Sequence, residues 1–163
     1  MILIKTSQGD ISIVLDEENT PKTAANFLEY VRSGFYKDTI FHRVINSFMI
    51  QGGGLTASMD NKPAPNKVVN EAKAGKLNKR GTIAMARTSD PHSASAQFFI
   101  NLVDNTFLNF SSETPQGFGY CVFGEVVEGM DVVDAIAKVK TEQNAGHGDV
   151  PQQTIVIHDI IEV

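Results

Sequence analysis

Tryptophan is absent from this chain and cysteine occurs once, at Cys121. One cysteine excludes an internal disulfide and fits a reducing compartment, so a cytoplasmic protein is expected. Long apolar runs are missing too. None nears the roughly 18 residues of a membrane helix. The opening MILIKTSQGD has no basic stretch, no extended apolar segment and no small-residue cleavage site, so no secretory signal is expected. Positive charge is not in excess: the net charge of −5 argues against a general nucleic-acid binder. Lys62, Lys67, Lys73, Lys76, Lys79 and Arg80 do fall in one stretch. They are spaced out and mixed with Asn, Ala and Glu71, and read as a solvated loop. What remains is ordinary: 163 residues, 42% apolar and 20% charged, enough for one domain with its own core.

Apolar, β-branched stretches at 2–6 and 11–15 flank SQGD, a turn with glycine available for positive φ, and predict a hairpin. Thr20-Pro21 supplies an N-cap and a proline for the first helical position. Ala24, Phe27, Leu28 and Val31 follow at helical spacing, and Gly34 offers a stop, so a helix is predicted over 21–32. Further strands are predicted at 41–45, 49–52, 81–86, 97–102, 119–126 and 154–163. In GMDVVDAIAKVK, Val132, Val133, Ile136 and Val139 keep helical register, with Asp131 near the start to suit the dipole. Residues 53–80 carry two prolines and little periodicity. They read as a long loop with one short turn of helix, and loops of that length are usually functional or disordered. About eight strands with two helices predict a mainly β barrel or sandwich, and eight is a natural closing number.

The stretch FHRVINSFMIQGGG, residues 41–54, places Arg43 among apolar neighbours. A charge there is costly unless paired or used. A two-residue turn at Asn46-Ser47 sets Arg43 opposite Ile50. A three-residue turn over 46–48 instead sets Arg43 opposite Gln51 and Ile45 opposite Met49. We prefer the second, because the Gln51 amide oxygen can then orient the guanidinium. Alternation in QFFIN sends Phe98 and Ile100 to the core, and Gln97 and Phe99 outward. Ile83 and Met85 are expected in the core and Ala86 outside. Two readings stand on spacing alone. In one, these residues line an apolar groove with a few placed polar groups, as binding sites do. In the other, every apolar residue is core and Arg43 makes a salt bridge.

NFLEYVRSGFYKDTIFHRVINSFMIQGGG at 26–54, RGTIAMAR at 80–87, SAQFFINL at 95–102 and GYCVFGEVVEGMDVVD at 119–134 resemble the cyclophilins, which are peptidyl-prolyl cis-trans isomerases. The likeness runs along nearly the whole chain, and FHRVI…FM.QGG with QFFI and VFG is specific. NFSSETPQGFGY at 109–120 makes the bacterial cytoplasmic type the best match. The resemblance implies one isomerase domain over 1–163, an eight-stranded antiparallel closed β-barrel capped by two α-helices. It implies rotation about X-Pro bonds in peptides and folding proteins, with no cofactor and no metal. By motif, Arg43 corresponds to the catalytic arginine, and Phe48, Met49, Gln51, Ala86, Gln97, Phe99 and Leu108 to pocket positions. Arg87 corresponds to a position that holds substrate through its backbone, so its side chain is expected to be free to vary.

Three departures stand out. Phe107 sits where many members have tryptophan, Tyr120 where many have histidine, and Gly54 where aspartate is common. The first two reshape the rim touched by cyclosporin, so weak binding of that inhibitor is expected. Proline-containing peptides and folding proteins are the expected partners, with neither nucleic acid nor membrane. A monomer is expected, since no large apolar patch lies outside the groove.

Other chemistries are poorly supported. His42, His92, His147 and His158 lack metal-ligand spacing, and His42 reads as structural. GGG at 52–54 lacks the GK[ST] of a phosphate loop and suits a bend or close backbone approach. Ser93 and Ser95 near His92 lack a buried acid or nucleophile elbow. Cys121 reads as a buried small hydrophobe. The rival function is a proline-segment binding module or chaperone that uses the same groove without turnover. Arg43 and Gln51 favour catalysis, since gripping a proline ring needs only an apolar slot.

Overall fold

The apolar ends of the chain find each other. In a computed structural model that describes residues 1–163, β1 (Ile2–Thr6) pairs antiparallel with both β2 (Gly9–Leu15) and β11 (Val156–Glu162). Next come α1 (Pro21–Arg32), β3 (Thr39–Ile40), β4 (Arg43–Ile45), β5 (Met49–Gly52), β6 (Thr82–Met85) and β7 (Phe98–Asn101). A 3-10 turn at Thr106–Leu108, β8 (Val122–Glu128), α2 (Met130–Ala137), β9 (Thr141–Asn144) and β10 (His147–Pro151) precede β11.

One sheet runs β3-β11-β1-β2-β8-β6-β7-β5-β4, every pair antiparallel. It curls until its ends meet at Ile40. The Ile40 amide donates to the Leu55 carbonyl at 3.0 Å, and its own carbonyl accepts from Gly53 at 3.3 Å. The glycine run allows this approach. A Cβ built on Gly52 would lie 2.6 Å from the Ile40 carbonyl oxygen. Gly53, at φ +87°, has the edge of the Phe98 ring where a Cβ would stand.

The sheet therefore has nine strands rather than eight, and β9–β10 form a separate two-stranded hairpin. Three strands carry too little pattern to be read from sequence. β3 is two residues long, and β9 is mostly exposed TEQN. The first three residues of β10 are exposed as well. Ala145 and Gly146, both at positive φ, make the connecting turn.

The main core lies inside the curl. Phe27, Tyr36, Phe41, Phe98 and Phe123 are all buried there with Ile50, Ile83, Met85 and Ile100. Phe98 meets Phe27, Tyr36 and Phe41 edge-on at 5.7–6.0 Å, the favoured geometry for aromatic quadrupoles. α1 packs on β8 and β11, while α2 packs on β2, β4 and β5.

α1 starts at Pro21 and ends before Gly34 as expected, but its capping differs. The Thr20 hydroxyl turns back to the Asp16 carbonyl at 2.7 Å and does not cap. The cap comes from Glu71, whose carboxylate accepts from the Thr23 amide and the Thr23 hydroxyl, each at 2.6 Å. Residues 53–80 contain no helix. The short turn expected there is a non-helical one, closed by the Ala74 and Gly75 amides on the Glu71 carbonyl. Val68 and Ala72 are buried, and the Lys62 ammonium donates to the Phe35 carbonyl while lying over the Phe35 ring. The basic loop is thus fastened across the sheet and α1.

Candidate active site

The outward residues of β4 to β7 gather on the other side of the sheet. Met49, Ala84, Phe99, Leu108 and Val122 form a second, smaller buried cluster, flanked by Ile45, Phe48, Ala86 and Tyr120. Above it lies a cavity of about 140 Å³ lined by Arg43, Phe48, Met49, Gln51, Ala86, Arg87, Phe99, Leu108 and Tyr120. Alternation explains the sorting: Phe98 and Ile100 face the main core, and Phe99 between them faces the cavity.

The hairpin register is the one that gives Arg43 a partner. Arg43 pairs with Gln51 and Ile45 with Met49 across a turn over 46–48. Ser47 takes a positive φ of 64°, and the Phe48 amide donates to the Ile45 carbonyl at 3.1 Å. Arg43 is exposed, and its Nη1 donates to Gln51 Oε1 at 3.3 Å. The Gln51 amide nitrogen donates in turn to Gln97 Oε1 at 3.1 Å. The chain's ion pairs are Arg32–Glu162, Lys73–Glu113 and Arg80–Asp134, so no carboxylate holds Arg43. Gly54 makes room for the relay, because a Cβ there would lie 2.2 Å from Gln97 Cγ.

Gln97 and Phe107 stand beside the cavity rather than on its wall. Gln97, Thr88, Ser93 and Ser95 line an adjoining polar hollow of about 280 Å³, shared with Gln51, Ala86 and Arg87. Phe107 is 73% exposed and stacks on Phe48 with ring centres 5.7 Å apart. Tyr120 meets Phe99 edge-on at 5.7 Å.

The Arg87 side chain is tied down on three backbone carbonyls. Its Nε donates to the Gly119 carbonyl at 3.0 Å, and Nη1 to the Thr88 carbonyl at 2.8 Å. Nη2 reaches the Pro115 carbonyl at 3.3 Å, and the guanidinium lies 4.6 Å from the centre of the Tyr120 ring. Arg87 thus straps the 109–120 loop to the rim. Sequence reasoning also missed Asn78, Asn101 and Asn105, which are buried behind the cavity. The only available signal was an asparagine inside the apolar run QFFINL, an expensive place for an amide without partners.

His42 is buried next to Arg43. Burial is the main cause that pushes its imidazole down to about 4, with His147 and Arg43 adding repulsion. Burial also raises the Cys121 thiol to about 11, which keeps it protonated and unreactive at neutral pH.

The curled antiparallel sheet thus carries, on the face away from its core, an apolar slot with Arg43 at its wall, held by a neutral amide and by no acid. The comparisons with known proteins give the family. The sequence model for cyclophilin type peptidyl-prolyl cis-trans isomerase/CLD matches residues 1–162. The chain is 56% identical over 160 residues to peptidyl-prolyl cis-trans isomerase B of Escherichia coli (strain K12), covering 98% of each. It is 58% identical over 154 residues to peptidyl-prolyl cis-trans isomerase cyp18 of Streptomyces antibioticus, covering 94% of this chain and 93% of that one. A crystal structure of a Cryptosporidium parvum cyclophilin type peptidyl-prolyl cis-trans isomerase, in the presence of the dipeptide Ala-Pro, superposes with a TM-score of 0.79. That pair is 27% identical and covers 98% of this chain and 96% of the other. This chain belongs to the cyclophilin-type peptidyl-prolyl cis-trans isomerases.

Proposed function

We propose that the protein turns X-Pro bonds by a hydrogen bond from Arg43 to the prolyl nitrogen, and so assists the folding of proline-containing chains. Rotating the amide costs about 18–20 kcal/mol because conjugation is lost. Midway through the turn the nitrogen pyramidalises and regains a lone pair, which a planar amide does not offer. A donor aimed there binds the transition state more tightly than either planar isomer, which is the condition for catalysis. One preorganised donor supplies roughly 3–4 kcal/mol, and each tenfold in rate needs about 1.4 kcal/mol. Arginine suits the role because its planar fork can meet Gln51 and the substrate together.

Phe48, Met49, Phe99 and Leu108 form the slot for the proline ring. Gln51, Gln97 and the backbone at Ala86–Arg87 hold the flanking peptide. Phe107, which lacks the donor of an indole, and Tyr120 make the rim a weak seat for cyclosporin. The substrates are peptides and unfolded segments met by a monomer in the cytoplasm, a setting that a single cysteine, with no partner for a disulfide, fits.

One observation carries this reading: the guanidinium at the cavity wall has a neutral amide as its partner and no acid. Arg43→Ala is expected to fold normally and to lose about 100- to 1,000-fold in isomerisation rate. Magnetisation-exchange NMR on a short X-Pro peptide measures this. An Arg43→Ala protein that turns the peptide at the parent rate removes the arginine from the mechanism. A parent that binds the peptide without accelerating it makes the groove a binding module.

A further inference from the structure

Three asparagines lie behind the slot, where an apolar core would be cheaper. Asn101 is fully buried, and Asn78 and Asn105 are nearly so. Their amides run head to tail. Asn105 Nδ2 donates to Asn101 Oδ1 at 2.8 Å, and Asn101 Nδ2 donates to Asn78 Oδ1 at 3.0 Å. Asn101 Nδ2 also reaches the Thr82 hydroxyl at 2.9 Å.

Both ends of this relay finish on walls of the cavity. At one end, Asn105 Nδ2 donates to the Phe48 carbonyl at 3.0 Å. At the other, Asn78 Nδ2 donates to the carbonyls of Leu108 at 3.2 Å and Tyr120 at 3.1 Å. The Asn105 amide also donates to the Asn78 carbonyl at 2.8 Å, which locks the two ends together. Phe48 sits on the β4–β5 turn, Leu108 on the 3-10 turn, and Tyr120 at the end of the long loop. The Tyr120 amide donates to the Leu108 carbonyl at 2.9 Å, so those two segments are already tied, and the Phe48 carbonyl also accepts from the Leu102 amide at 2.9 Å. No backbone bond joins Phe48 to either of them, so strand pairing alone does not set the span between the Phe48 wall and the Leu108–Tyr120 wall.

We propose that Asn78, Asn101 and Asn105 are positioning residues that fix the separation of the Phe48 wall from the Leu108–Tyr120 wall, and thereby set the grip on the proline ring. The inference rests on the slot assignment made above. Aligned amide dipoles in a low-dielectric setting polarise one another, and a satisfied network of this kind has one arrangement rather than several. A relay left half-satisfied forfeits that arrangement, and the walls are free to drift.

The test uses Asn105→Ala and Asn101→Leu in the full chain, well below their melting midpoints. Titration of an Ala-Pro-containing peptide followed by NMR gives Kd, and exchange kinetics give KM and kcat. Kd and KM are expected to rise together by about 5- to 10-fold, with kcat nearly unchanged, because the slot grips planar and twisted forms alike. The backbone amide signals of Phe48, Leu108 and Tyr120 should shift in both variants. Ile160→Ala, a truncation in the main core on β11, lowers stability without touching the slot and should leave Kd unchanged. An Asn105→Ala protein that binds the peptide at parent strength overturns the proposal. If Asn101→Leu does not fold, Asn105→Ala alone decides. Arg43→Ala in the same assays separates the two ideas: its failure appears in kcat, whereas the asparagine relay is judged on Kd.

Discussion

His42 Nδ1 is the one buried side-chain nitrogen or oxygen in the chain without a hydrogen-bond partner. Its ring faces that of His147 on β10, 5.8 Å away, and Arg43 follows it in sequence. Protonation would therefore add a charge among charges in a dry place. The sign of the linkage follows. An unfolded histidine binds a proton near pH 6.5, whereas the folded one does so only near about 4. Above 6.5 both are neutral and stability is unaffected; between the two values the unfolded chain gains the proton first. Stability should fall as pH drops from 6.5 to about 4, by as much as about 3 kcal/mol from this residue. Urea denaturation across that range measures it, and His42→Leu should remove that part of the slope. At this scale the sequence was informative wherever a polar residue interrupts an apolar pattern. Arg43 announced a use or a partner in that way. Asn101 carried the same signal inside QFFINL, but its partners Asn78 and Asn105 belong to no pattern of their own.

Among elements, the hairpin of β4 and β5 was legible in register because one alignment pairs the guanidinium with an amide and the other does not. The side chain that caps α1 was not. Thr20 before Pro21 has the residue types of a local cap, yet the cap is Glu71, 48 residues away from Thr23. Local rules cannot see a carboxylate delivered by a distant loop. That carboxylate also holds the Thr23 hydroxyl, which in turn lies 3.6 Å from the Cys121 sulfur. Glu71→Ala should cost about 1–2 kcal/mol, since it strips the first helical turn of its acceptor. Thermal denaturation followed by circular dichroism gives the size, and faster hydrogen exchange at Thr23 shows where the loss occurs. Melting at the parent temperature would mean that water caps the helix equally well.

For the molecule as a whole, the mainly β architecture with two helices was readable from spacing and its antiparallel order from the resemblance, whereas the number of strands came from neither. The curl closes at a point where the sequence shows only three glycines. Gly52 is the tightest of them against the main chain: an added Cβ would meet the Ile40 carbonyl oxygen and Phe41 Cα, both backbone atoms with nowhere to go. Gly52→Ala is expected to destabilise by about 1–3 kcal/mol in guanidinium unfolding. Gly148→Ala, which meets nothing within 4 Å, should be nearly neutral. Equal stability of the two variants would show that the ends of the sheet can part without consequence.

The first and last strands lie side by side, and the Val163 amide donates to the Met1 carbonyl at 3.0 Å. Around the curl, β2 and β8 stand between that pair and the strands that carry the groove. A linker leaving either terminus therefore departs from strands that do not line the groove. Protein anchored to a bead or chip by such a handle should keep its groove open to passing chains.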